Sequence, residues 1–83
     1  FTGLRSLYLT NCRRIGDNGL AHLQGLTGLR VLWLSYTGVS DAGMARLRTL
    51  TGLERLDLAE TKVSADAVKE LQKALPGCSI SGP

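Results

Sequence analysis

The chain is poor in the residues that build catalytic and metal sites. Its 83 residues include one histidine and two cysteines, His22, Cys12 and Cys78. No CxxC or HxxxH spacing occurs, so the sequence indicates no metal site. A phosphate-binding GxxxxGK(S/T) loop is also absent, and we predict no cofactor.

Long apolar runs and runs of like charge are missing too. The apolar runs are a few residues long, whereas a membrane-spanning helix needs about 20 residues. The net charge is +3, with ten Lys and Arg against seven Asp and Glu. These basic residues are scattered rather than clustered into a stripe with aromatics. We therefore expect neither a membrane nor a nucleic acid as partner.

A phrase of the form LxxLxLxx(C/T) occurs three times. The copies begin at Leu4, Leu29 and Leu53, which are 25 and 24 residues apart. A second phrase follows each copy: IGDNGLAHL from Ile15, VSDAGMARL from Val39 and VSADAVKEL from Val63. The chain is thus a tandem repeat, and each unit predicts a strand followed by a helix.

This pattern resembles the leucine-rich repeat. The Cys12 to Leu23 segment is similar to the cysteine-containing subtype, and the Thr37 to Leu47 segment to bacterial repeats of the TxVSDAGL type. The resemblance implies an α/β fold: a right-handed solenoid with a short parallel β-sheet on the concave side and helices on the convex side. It implies no catalytic activity, and most members of the family bind other proteins.

We predict a single domain, residues 1–83. Its repeats span about residues 4–28, 29–52 and 53–77, and residues 78–83 form a terminal strand and cap. Phe1 occupies the repeat position of Leu26 and Leu50. We therefore expect upstream repeats beyond residue 1, or end-to-end stacking with another chain through an apolar end that includes Leu4 and Leu7.

Side-chain alternation assigns the leucines of each LxL to the core. At the turn after each strand, Thr37, Thr61 and Cys12 should point inward as small polar groups. Ser40 and Ser64 should be helix N-caps. Cys12 and Cys78 belong to distant repeats, so we expect no disulfide between them. Two buried free thiols weakly favour the cytoplasm.

The residues between the leucines should face solvent on the concave sheet, and with them we expect Ser35 after the second strand. Trp and Tyr are frequent anchors of protein interfaces. We predict that a protein partner of unknown identity binds this face. The predicted contact residues are Tyr8, Asn11, Val31, Trp33, Tyr36, Arg55, Asp57 and Glu60.

Catalysis is not expected from the same residues. Asp57 and Glu60 are carboxylates on an open sheet, and His22 should lie on the solvent side of a helix, so they cannot converge. The alternative functions are a structural scaffold or a subunit piece of a larger assembly. A further alternative is the regulatory repeat region of an enzyme whose catalytic domain lies outside this chain.

Overall fold

The structure is a computed structural model that describes residues 5–82. Strands and helices alternate along this part of the chain, as the repeat predicts. The strands are β1 (Ser6–Tyr8), β2 (Val31–Trp33), β3 (Arg55–Asp57) and β4 (Ser79–Ser81). The helices are α1 (Asp17–Leu20), continued by a 3₁₀ turn (Ala21–Leu23), α2 (Asp41–Leu47) and α3 (Ala65–Ala74).

The four strands form one parallel sheet in the order β1-β2-β3-β4. Leu7, Leu32, Leu56 and Ile80 lie side by side in register. Each strand is therefore the equivalent piece of successive units, stacked at the usual spacing of about 4.8 Å. The predicted α/β repeat architecture, with helices beside a parallel sheet, is confirmed.

The core lies between the sheet and the helices. Leu32 and Leu34 follow the alternation of β2 and are fully buried, as are Leu56 and Leu58 after β3. The helices contribute Leu20, Met44, Leu47 and Leu71 to the same cluster. One unit cannot bury these leucines alone, so stacking supplies the stability of the fold.

The first unit is less well buried than the second. Leu7 and Leu9 are only partly buried, although their equivalents Leu32 and Leu34 are fully buried. β1 is an edge strand with β2 as its partner. The burial of the repeated leucines therefore rises from the first unit to the second.

Aspartates clamp each helix start to the next one. The Asp17 carboxylate accepts the backbone N–H of Ser40 at 2.8 Å and its hydroxyl at 2.5 Å. Asp41 accepts the same two groups from Ser64, at 2.6 and 2.8 Å. The hydrogen bond from the Ser64 backbone N–H, and to a lesser extent the one from its hydroxyl, holds the pKa of the Asp41 carboxyl below its ordinary value.

Both serines that were predicted as N-caps precede a helix, but only one of them accepts a hydrogen bond from it. Ser64 precedes α3, and its hydroxyl accepts the N–H of Ala67 at 3.2 Å. Ser40 precedes α2 and donates its hydroxyl to Asp17, but its side chain accepts no N–H from that helix. Gly16 begins α1 with no side-chain cap.

The turns after the strands follow the prediction in two units and depart from it in one. Thr37 Oγ1 donates to the carbonyl of Leu34 at 2.6 Å, and Thr61 Oγ1 to that of Leu58 at 2.7 Å. The inward prediction was wrong for Cys12, whose side chain is exposed in the turn that follows the edge strand. Cys78 is free and buried, and burial raises the pKa of its thiol. Only one of the two thiols is therefore buried, instead of the two that were expected.

Candidate functional site

Two aromatic rings lie side by side on the sheet face opposite the core, here called the open face. Tyr8 and Trp33 are register partners on β1 and β2. Their ring centroids are 4.5 Å apart and their planes are tilted by 41°. Tyr8 is 60% exposed and Trp33 43%. Much of the surface of both rings is therefore in contact with water. Polar residues are the usual occupants of such positions on an exposed sheet face.

The turns after the first three strands each contain one residue with a left-handed backbone conformation. Asn11, Tyr36 and Glu60 occupy the same repeat position, with φ values of 67°, 58° and 57°. The backbone N–H of Asn11 donates to Ser35 O and that of Tyr36 to Ala59 O, each at 3.0 Å, which links neighbouring turns. Asn tolerates this conformation, but a bulky residue such as Tyr is strained in it.

The strained backbone was not anticipated from the sequence. The described residues contain no glycine with positive φ, so the usual signal for a left-handed turn is absent from these positions. The only hint is Asn11, which stands where the later repeats have Tyr36 and Glu60. Strain of this kind accumulates at functional sites, and here it occurs at three of the predicted contact residues.

A notch of about 330 Å³ opens beside Trp33. Its other lining residues come from the two following strands: Arg55, Leu56, Asp57, Ser79 and Ser81. One oxygen of Asp57 accepts the N–H of Ala59 at 3.0 Å, which fixes the carboxylate at the rim. The notch therefore combines an aromatic wall with a cation, an anion and two hydroxyls.

Ser79 and Ser81 were missed by the sequence analysis as candidate contact residues. They are the register partners of Arg55 and Asp57, one repeat further along. That repeat spacing was the available signal, since β4 itself was predicted as a terminal strand.

Of the remaining predicted contact residues, Val31, Arg55 and Asp57 lie in strands, while Asn11 and Glu60 lie in the turns after β1 and β3. Asn11, Arg55 and Glu60 are exposed, while Val31 and Asp57 are half-buried. A second recess, of about 280 Å³, lies at the side of Tyr36 and Glu60 and is also lined by Arg13 and Lys62.

Ser35 does not belong to this exposed face. The prediction that its side chain faces solvent was wrong, since it is 6% exposed. β2 ends at Trp33, and the chain turns before alternation reaches residue 35. The Ser35 hydroxyl is instead donated to Thr10 Oγ1 at 3.2 Å, which ties the first two turns together.

The charges of the notch are unpaired within the described part of the chain. The ion pairs between residues 5–82 are Arg30–Glu54 and Glu70–Lys73. Neither Arg55 nor Asp57 takes part in them. Both charges are therefore available to a bound molecule.

Across residues 5–82, His, Cys, Asp and Glu nowhere form a group of three or more able to hold a metal ion. No helix in that range combines the length and hydrophobicity needed to cross a membrane.

The comparisons with known proteins agree with this architecture. The family model described as "Leucine Rich repeat" matches residues 2–23. Among solved structures, a leucine-rich-repeat protein of Leptospira interrogans is similar in fold, with a TM-score of 0.60 and 23% sequence identity. The aligned region covers 74% of this chain and 15% of that protein, so the chain spans a small part of its length. The search of curated proteins found no match.

The repeat subtype is not distinguished by these matches, so the cysteine-containing and bacterial assignments stay predictions. The coarser assignment is carried by three agreeing observations: the repeated LxxLxL phrase, the stacked parallel strands and the matched repeat model. The described residues have the fold of a leucine-rich-repeat protein, and residues 2–23 match the repeat model of that family.

Proposed function

We propose that the chain is a non-enzymatic module that binds a protein partner through its open sheet face. Leucine-rich repeats commonly mediate protein–protein interaction. The observation that carries the proposal is the exposure of Tyr8, Trp33 and Tyr36, the only large hydrophobic side chains that the described residues leave exposed. All three lie on the open face or at its border.

The energetics of interfaces support this choice of face. A few Trp, Tyr and Arg side chains supply most of the binding free energy of a typical interface. Trp33 ends β2, Tyr36 lies in the turn that follows it, and Arg55 begins the next strand. Their rigid rings lose little conformational entropy when a partner covers them. The predicted contact residues would therefore act as anchors around the notch.

The test is a quantitative pull-down from a lysate of the source cells with three versions of the chain. These are the wild type, the double variant Trp33→Ala/Tyr36→Ala and the control His22→Ala/Arg46→Ala. His22 and Arg46 are exposed on the helical side. Circular dichroism and urea denaturation first establish that all three are folded.

We expect a protein that the wild type and the control capture equally. The loss of both rings should cost about 2–4 kcal/mol of binding free energy and weaken its capture by the Trp33→Ala/Tyr36→Ala variant about 30- to 1,000-fold. Equal capture by all three versions would contradict binding through this face.

A subunit role is the second candidate, because one observation favours it. Leu7 and Leu9 are only partly buried at the edge strand, and a neighbouring chain could cover them. Sedimentation equilibrium of the chain distinguishes self-association from the proposed module. A concentration-dependent increase in mass that Leu7→Ser abolishes and Trp33→Ala leaves unchanged would support the subunit role.

A further inference from the structure

We infer that the notch beside Trp33 recognises an extended peptide segment whose basic and acidic side chains are two residues apart. The inference rests on the proposed function and specifies the chemistry of the partner. It follows from the arrangement of Arg55 and Asp57 on β3.

Arg55 and Asp57 project from the same face of one strand. The Cα atoms of residues two apart on a strand are about 7 Å from each other, a distance that long charged side chains can bridge. They nevertheless form no ion pair with each other. By contrast, Arg30 and Glu54 lie on neighbouring units just before β2 and β3, and they do pair.

The two opposite charges lie at different places around the notch. Asp57 is the register partner of Trp33, so a cation near its carboxylate also meets the aromatic ring. Cations bind favourably over an indole face, which adds to their attraction to the carboxylate. Arg55 is the register partner of Ser79, so an anion there meets a guanidinium beside a hydroxyl.

A partner in extended conformation repeats the same spacing. Its side chains two residues apart project to one face, about 7 Å from each other. A Lys or Arg can therefore stand at Asp57 while an Asp or Glu stands at Arg55. Two basic or two acidic side chains at this spacing would place one like charge against Arg55 or Asp57, which is unfavourable.

Trp33 provides the measurement, because it is the only tryptophan in the chain. Its fluorescence reports on the notch directly. The probes are capped heptapeptides of threonine that carry Lys-Thr-Glu, Lys-Thr-Lys or Glu-Thr-Glu at the centre. A fourth peptide carries adjacent Lys and Glu, which project to opposite faces of an extended segment.

We expect the Lys-Thr-Glu peptide to change the Trp33 emission at a concentration about three to ten times lower than the other three, as two exposed charge pairs allow. The preference should shrink at high salt, because exposed charges are screened. A response equal for all four peptides, or none up to millimolar concentration, would overturn the inference.

A charge reversal gives a sharper test. Arg55→Glu removes the cation and leaves two acids at the notch, so the preferred peptide should become Lys-Thr-Lys. The Arg55 side chain is exposed and forms no hydrogen bond with another described residue, so the variant should fold. The control Lys69→Glu makes the same charge change on the exposed side of α3 and should keep the preference for Lys-Thr-Glu.

An unchanged preference in Arg55→Glu would overturn the inference. Such a result would leave the proposed function standing if the Trp33→Ala/Tyr36→Ala variant still lost its partner in the pull-down. Conversely, a wild-type chain that shows no peptide preference and captures no protein better than the Trp33→Ala/Tyr36→Ala variant does would contradict both the inference and the proposed function.

Discussion

At the residue scale, Tyr36 has a backbone conformation that its side chain does not favour. Its φ of 58° lies in the left-handed region, where Cβ crowds the following carbonyl. The side chain is nevertheless 43% exposed and contributes little to the core. Asn11 and Glu60 have the same conformation at the equivalent positions, and the Tyr36 N–H donates to Ala59 O, so the turn of the repeat imposes this conformation on whichever residue stands there.

Replacing Tyr36 with asparagine should therefore stabilise the chain and weaken binding. Asn11 shows that asparagine fits this repeat position. Relief of the left-handed strain should raise the free energy of unfolding by about 1 kcal/mol relative to Tyr36→Ala, which removes the ring but keeps the strain. Urea denaturation of the two variants measures the difference. If Tyr36→Asn is no more stable than Tyr36→Ala, the left-handed conformation at this position costs little free energy.

The residue scale also shows where sequence reasoning stops. Alternation in LWLSY assigned the leucines to the core and Trp33 to the other face, because a strand has a period of two. It did not anticipate the turn that buries Ser35, since the strand ends at Trp33. Nor could it identify the left-handed backbone of Tyr36 and Glu60, because neither residue type signals that conformation.

At the scale of elements, the position of α2 against α1 depends on a glycine. A Cβ built on Gly43 would lie 2.3 Å from Asp17 Oδ1 and 2.7 Å from Leu20 Cδ1. Asp17 cannot easily move away, because it accepts two hydrogen bonds from Ser40. The third unit has Ala67 at the same repeat position. The first two helices therefore approach each other more closely than a side chain would allow.

We predict that Gly43→Ala destabilises the chain, although alanine is the better helix former. The helix preference favours alanine by about 1 kcal/mol. Overpacking costs about 1–3 kcal/mol, so the net loss of stability should be up to about 2 kcal/mol. Urea denaturation gives the value. Gly25→Ala is the matched control, since nothing lies within 4 Å of a Cβ there, and its stability should be unchanged or higher. A gain in stability for Gly43→Ala would mean that the Asp17 side chain can move away from the added Cβ.

The helix starts were only partly predictable. The Ser-Asp phrases located α2 and α3 because a small polar residue and an acid favour a helix N-terminus. The same residues turned out to have a second role, since Asp17 and Asp41 reach across to the serine of the next unit. The repeat period alone could have suggested this contact, because Gly16, Ser40 and Ser64 recur 24 residues apart.

At the scale of the whole molecule, stability should be distributed unevenly along the stack. Each unit contacts only its neighbours, so the free energy of unfolding is approximately a sum of terms for the units and for the interfaces between them. The second unit has a neighbour on both sides, and its Leu34 is fully buried. The equivalent Leu9 follows the edge strand and is only partly buried. The same leucine thus has two different environments within one chain.

Truncating these two leucines should measure that gradient. Leu34→Ala removes a fully buried side chain and should cost about 3–4 kcal/mol, a large share of the roughly 4–12 kcal/mol expected for a chain of this size. Leu9→Ala should cost about 1–2 kcal/mol, because part of the side chain already contacts water. The urea midpoints of both variants, with circular dichroism as the signal, give the comparison. Leu58→Ala serves as the internal reference, since Leu58 is also fully buried and should match Leu34. Equal costs at Leu9 and Leu34 would contradict the gradient, because they would mean that the first unit is as well packed as the second.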